Sequence, residues 1–224
     1  MRLLGDAAVA MWWNVAAENL DAFHEWHSTE HLPERLSIPG FNRGSRWQRP
    51  DGIDFFVIYE LAGYDTLTSP AYRARLNDPT PWSTRMMPLH RDMIRSQCRV
   101  AASHGGGVAT YMATIRLSPE QGAEAALDGF LRETLAALPG RRGITGAHLL
   151  HTQTPAVAPT KEQVIRGGDA EADWILLIAG HDAAALCDLA AGDLSSEALA
   201  RRSARTSEHG EPYRLVHAMT PADV

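Results

Sequence analysis

From Leu20 to Phe41 the chain reads LDAFHEWHSTEHLPERLSIPGF, and two parts of this stretch return later in the same order. Leu20-Asp21-Ala22-Phe23 is echoed by Leu127-Asp128-Gly129-Phe130, and Ile38-Pro39-Gly40 by Leu138-Pro139-Gly140. A third pair, Leu61-Ala62-Gly63-Tyr64-Asp65 and Ile178-Ala179-Gly180-His181-Asp182, keeps that order. Ordered echoes are the mark of internal repetition. The expectation is two repeats, residues 1–104 and 105–224, joined at His104-Gly105-Gly106-Gly107, with a Pro- and Thr-containing insertion near Thr152 to Asp173.

Within each repeat the pattern alternates between periods of two and 3.6 residues. In the first, Ala7 to Trp13 reads as a strand and Ala17 to His31 as an amphipathic helix, stopped by Pro33 and Pro39-Gly40. Phe41 to Arg49 and Ile53 to Leu61 read as strands joined through Pro50-Asp51-Gly52, which places Arg46 across from Phe56 and Trp47 across from Phe55. Helical turns at Ser69 to Asn77 and Trp82 to Met93 precede a strand at Arg95 to Ala102. The second repeat reads as strands at Val108 to Leu117, Gly146 to Thr152, Trp174 to His181 and Tyr213 to Met219. Its helices are expected at Pro119 to Leu138 and Ala183 to Thr206. The βαββαβ order is that of a ferredoxin-like unit, in the α+β class.

The opening stretch also carries three of the ten histidines. At about 100° per residue, Leu20, His24, His27 and His31 fall near one line of the helix, with Phe23 beside them. An imidazole row on a face that should enter the core points to proton transfer near neutral pH. The first helix of the second repeat, rich in alanine from Ala123 to Ala137, has no histidine, so one pocket is expected, in the first repeat. His27-Ser28-Thr29-Glu30-His31 matches an inverted-zincin pattern, but Pro33 cuts the helix that such a metal site needs. His104-Gly105-Gly106-Gly107 resembles a lipase oxyanion loop without the G-x-S-x-G that would supply a nucleophile.

Composition removes several classes. A net charge of −6 and a pI near 5.9 oppose binding to nucleic acid or an anionic membrane. Lys161 is the only lysine, which excludes Schiff-base chemistry in the N-terminal half. No run reaches the length of a membrane span and the N-terminal stretch lacks a secretory pattern, so a cytoplasmic location is expected. Cys98 and Cys187 lack metal-type spacing and read as free, buried thiols.

Trp26, Glu30-His31-x-Pro33-Glu34-Arg35, Pro39-Gly40-Phe41 and the strand ending Arg46-Trp47 resemble the dimeric α+β barrel superfamily, particularly its EthD-like members. Ser69-Pro70-Ala71-Tyr72 and Asn77-Asp78-Pro79-Thr80-Pro81-Trp82 resemble the second-helix region of such proteins. The resemblance implies two ferredoxin-like repeats forming an α+β barrel within one chain, with ligands held between a sheet and its helices. A barrel made within one chain departs from the usual homodimer, and a homo-oligomer through barrel surfaces is a separate expectation.

On these grounds the expected catalytic residues are His31 as main acid/base, His27 as relay and Glu30 as the group fixing the tautomer. His24, Trp12, Trp47, Tyr59, Arg46 and Trp82 are expected around the substrate, with Trp13 and Phe56 as further aromatic walls, and His90 at the surface or an interface. The expected activity is that of a cofactor-independent lyase or isomerase on a small apolar carbonyl, lactone or aromatic compound, without metal or haem. Its rivals are a non-enzymatic small-molecule binding or stress-response module and a cofactor-free monooxygenase.

Overall fold

The computed structural model describes residues 2–208 and 210–224. Its fold is α+β, and the chain divides into two compact units. The first holds Leu4–Cys98, Gln153–Glu171 and Val216–Val224; the second is built mainly from Arg99–Thr152 and Ala172–Leu215.

In the first unit the strands are β1 (Ala7–Asn14), β2 (Phe41–Gln48), β3 (Asp54–Leu61) and β4, which starts at Arg91 and runs to Gly105. They lie in the order β4-β1-β3-β2, the antiparallel order of a ferredoxin-like unit. Alternation along β1 and β3 sends Val9, Met11, Trp13, Phe55, Val57 and Tyr59 to one face. There they meet Phe23, Trp26, Leu32 and Leu36 from the helical stretch between β1 and β2. Gly44 of β2 permits the close approach: a Cβ on it would come within 2.7 Å of Leu32 and 3.0 Å of Tyr59.

That helical stretch differs from the expected one. It consists of α1 (Leu20–Trp26), a π-helical turn at His27–His31 and α2 (Leu32–Leu36). Pro33 does not stop it. A proline inside a helix clashes with the carbonyl four residues back, whereas the turn ahead of Pro33 is widened, with Leu32 N–H donating to His27 O five residues back. Pro33 then sits in the first turn of α2, where its missing N–H costs little. The hairpin register is shifted by one, Arg46 facing Val57 and Trp47 facing Phe56. Asp51 Oδ1 accepts from the N–H groups of Ile53 and Asp54, and the resulting turn uses one more residue than expected before Arg49 N–H donates to Asp54 O. Arg46 and Trp47 still point to opposite faces.

After β3 come α3 (Pro70–Asn77) and α4 (Pro81–Met86), capped by the hydroxyls of Ser69 and Thr80. Arg91 to Met93, expected as helix, is strand, because Pro88 and a short 3-10 turn end the helix at Leu89. His104 and Gly105 of the expected linker are the end of β4.

The second unit places β5 (Tyr111–Pro119), α5 (Glu124–Ala137) and β6 (Ile144–Thr152) in chain order. The segment that follows carries α6 (Lys161–Arg166) and packs in the first unit. β7 (Trp174–Gly180), α7 (Ala183–Ala191), α8 (Ser196–Ala200), β8 (Ala204–Glu208) and β9 (Tyr213–Met219) complete the chain. The expected helix from Ala183 to Thr206 is broken at Gly192 and turns to strand at Ala204. The order β6-β7-β5-β8 is again that of a ferredoxin-like unit. Leu127, Leu131 and Leu135 of α5 pack on Ala113, Ile115, Leu149 and Leu176. Cys98 is buried and Cys187 exposed, the latter against expectation. Among the described residues no helix is long and apolar enough to cross a membrane.

Candidate functional site

The first unit encloses a cavity between its sheet and its helices. Val9, Met11 and Trp13 of β1, Tyr59 of β3, and Met93 and Arg95 of β4 form its floor. His27, His31 and Arg35 reach it from the π turn and α2, spaced by four so that they share a side. Tyr72 and Leu76 of α3 and Met87 and His90 beyond α4 close it, with Glu162 and Arg166 of α6. The enclosed volume is about 30 Å³, room for roughly two waters.

Three imidazoles meet in this wall. His27 is 1% exposed and its ring centroid lies 5.5 Å from that of His31. His31 packs on the Trp26 indole at 4.5 Å, and His90 stacks on Trp13 at 4.8 Å. The Nδ1 atoms of His27 and His31 and both ring nitrogens of His90 are buried without a hydrogen-bond partner, as is the Tyr59 hydroxyl. Burial, aided by Arg35 at His31 and by Arg46 at His27, holds both imidazoles well below their usual pKa of 6.5. Burial pushes His90 down to about 3. All three are neutral at physiological pH, and burial raises the Tyr59 phenol, which stays protonated.

Charged groups lie behind the imidazoles. Arg35 and Glu162, 3% and 2% exposed, form a buried ion pair. Glu34 sits 3.9 Å from His31 Nδ1 and 2.8 Å from Arg75, and burial raises its carboxyl pKa. Tyr72 OH accepts from Arg95 at 2.9 Å.

Of the residues expected at the site, His27, His31, Tyr59 and Trp13 line the cavity. The others lie elsewhere. Glu30 accepts from Thr80 at 2.6 Å and Ser83 at 3.3 Å, so it ties the π turn to the start of α4; the carboxylate beside His31 is Glu34. His24, one turn ahead of the widened segment, packs against Phe55 and feels the charge of Arg46. Arg46 lies over the Phe23 ring and donates to Ser28 Oγ at 2.9 Å. Trp12 stacks on Phe56 on the opposite face of the sheet from Trp13, and Trp47, opposite Phe56, shares that face. Trp82 packs partly buried against the core.

Several contributors were not anticipated, Arg95 and Tyr72 on the cavity wall among them. Arg35 was legible, lying four residues beyond His31 on the same side. His90, expected at the surface or an interface, is turned inward after the 3-10 turn at Met87–Leu89, a placement no local pattern encodes. Glu162 and Arg166 share a face of a helix announced by its Thr160/Gln163 capping box, but its docking partner is a tertiary fact. Among the described residues no group of three or more His, Cys, Asp or Glu side chains could hold a metal ion.

No protein-family model matches the sequence, and no curated protein matches it. Solved structures do match in fold. An anthrone oxidase-like protein superposes with a TM-score of 0.64 over 96% of this chain and 93% of its own, at 13% identity. A candidate monooxygenase from Fusobacterium nucleatum gives 0.60 over 96% and 95%, at 6% identity. A candidate chlorite dismutase gives 0.57 over 95% and 96%, at 11% identity. At such identities the likeness shows the fold alone, the α+β barrel class.

Proposed function

We propose that the cavity of the first unit is the active site of a cofactor-independent lyase or isomerase. Its base removes a proton from a small, largely apolar carbonyl, lactone or aromatic compound. The observation that carries the reading is the pair of imidazoles, His31 and His27, whose buried Nδ1 atoms have no partner and which line one cavity with a largely apolar floor. Both are unprotonated at neutral pH, the form a base must have. A proton taken by His31 creates an imidazolium beside Glu34, 3.9 Å away, which stabilises it. His27 is placed to relay that proton, and Trp13, Met11 and Met87 keep the carbanion from water. Glu30 acts through the helix, holding the π turn to Thr80 and Ser83. A cavity of about 30 Å³ is smaller than any such substrate, so admission requires a wall to move. The reading includes EthD-like kinship and descent by duplication, supported by the Glu30–Arg35 motif and by the strand order common to both units.

The fold shared with an anthrone oxidase-like protein and a candidate monooxygenase supports a second reading, in which the same carbanion goes on to reduce dioxygen. Anthrone and a panel of lactones and β-keto compounds, incubated with the protein in air and under argon, separate the two. Turnover under argon supports the lyase or isomerase, and turnover tied to oxygen uptake supports the second. Ligand retention with no turnover in either gas would leave the protein a binding module.

A further inference from the structure

The charges around the cavity are unequally shared. Glu162 pairs with Arg35 and lies 3.6 Å from Arg166. Asp169 takes Arg166 through two bonds of 3.0 and 2.8 Å. Glu34 engages Arg75 at 2.8 Å and Arg35 at 3.4 Å. Three carboxylates therefore serve three arginines, and Arg95 is a fourth. It is 6% exposed, its side chain donates to the Tyr72 hydroxyl, and no carboxylate among the described residues lies close enough to form an ion pair with it, although Asp169 and Glu162 act on its charge from further away.

Arg95 also stands at a boundary. A second cavity, about 80 Å³, adjoins the first, and both are lined by Arg95 and Leu76. Leu67, Pro155 and Val157 line this second space together with polar residues such as Arg73, Gln97 and Thr160, so it is of mixed polarity. A buried guanidinium with no carboxylate in direct contact leaves its planar fork open to match the carboxylate of a ligand. The apolar residues beside it in the first cavity, Met11 and Trp13 among them, suit the remainder of such a molecule.

Building on the acid/base reading, we propose that the ligand is a small monoanion: an apolar or aromatic body bearing one carboxylate or equivalent anionic oxygen. Arg95 and Tyr72 hold the anionic group at the junction of the two cavities, and the body extends along Trp13 and Met11 toward His31.

Calorimetric titration of the whole protein with benzoate, and separately with the neutral benzyl alcohol, tests this. Benzoate should bind about 10- to 100-fold more tightly, the difference expected of a charge-assisted pair. The preference should vanish in Arg95→Gln and persist in part in Arg95→Lys, both checked for native circular dichroism. Equal affinities in the unaltered protein, a preference that survives in Arg95→Gln, or no binding of either probe would overturn the proposal. His31→Gln should retain the preference, so failure of the base assignment and failure of the anion assignment give different results.

Discussion

The helix Glu124–Ala137 of the second unit and the helical stretch Leu20–Leu36 of the first occupy the same place in their βαββαβ orders, and each turns a one-sided row toward its sheet. In the second the row is Leu127, Leu131 and Leu135, so every buried side chain of that helix is a leucine. In the first it includes Phe23, His27, His31 and Arg35, and a π turn replaces regular α-helix in the middle. Leucines contribute burial and nothing else. Imidazoles in that place give up stability, since an unpartnered buried polar atom costs about 1–3 kcal/mol, and leave a cavity lined with groups able to take a proton. On the proposed reading, one helix holds a sheet and the other acts on a molecule beside it.

Four experiments can break or sharpen this contrast. The largest change in stability is expected from Glu162→Ala, which leaves the buried Arg35 only Glu34 at 3.4 Å; unfolding free energy from urea titration should fall by about 3–5 kcal/mol. A loss below about 1 kcal/mol would mean that α6 is not fixed to the histidine stretch by this pair. Next, Leu131→His in the second unit should cost about 2–4 kcal/mol, because the leucine core there offers an imidazole no partner.

Acid should separate the units as well. The folded pKa values of His27, His31 and His90 lie below the unfolded value of 6.5, so between these limits the unfolded chain binds more protons. Their contribution is whole above about pH 6.5 and is lost as pH falls below it, for His90 down to about 3. Urea midpoints should therefore drop from pH 7.5 to pH 5, and by less in a His27→Leu, His90→Leu double variant. The smallest effect is expected from His27→Leu alone, which makes the first helix resemble the second. Its unfolding free energy should be unchanged or higher by about 1 kcal/mol while turnover falls. A marked loss of stability would show that His27 is a structural residue.

Much of this was readable in the sequence. The echoes at Leu20 and Leu127, and the Pro-Gly pairs that follow, give the order of elements in both units, because turn chemistry and hydrophobic period are local properties. His27, His31 and Tyr59 were legible for the same reason: spacing on a helix and alternation on a strand fix which side a residue takes. The failures have one physical form. Trp12 and Trp13 are adjacent aromatics, and only the strand's register decides which faces the helices. Pro33 looked like a stop because the π turn that accommodates it is a local irregularity without a sequence period. His90, Glu162 and Arg166 reach the cavity through docking of a 3-10 turn and of a segment 120 to 140 residues away in sequence, and such long-range packing leaves no local signature. Glu30 and Glu34 differ by one helical turn, and the chain's partners at Thr80, Ser83 and Arg75 decide which of them stays beside His31.

The central claim is that His31 is the base. It is tested most directly by the turnover number of His31→Ala on whichever member of the anthrone, lactone and β-keto panel is turned over. The value should fall by about 10²–10⁴, with substrate affinity little changed. In the unaltered protein the acid limb of the rate profile should lie below pH 6.5, as the depressed imidazole pKa requires. Full turnover in His31→Ala would contradict the account.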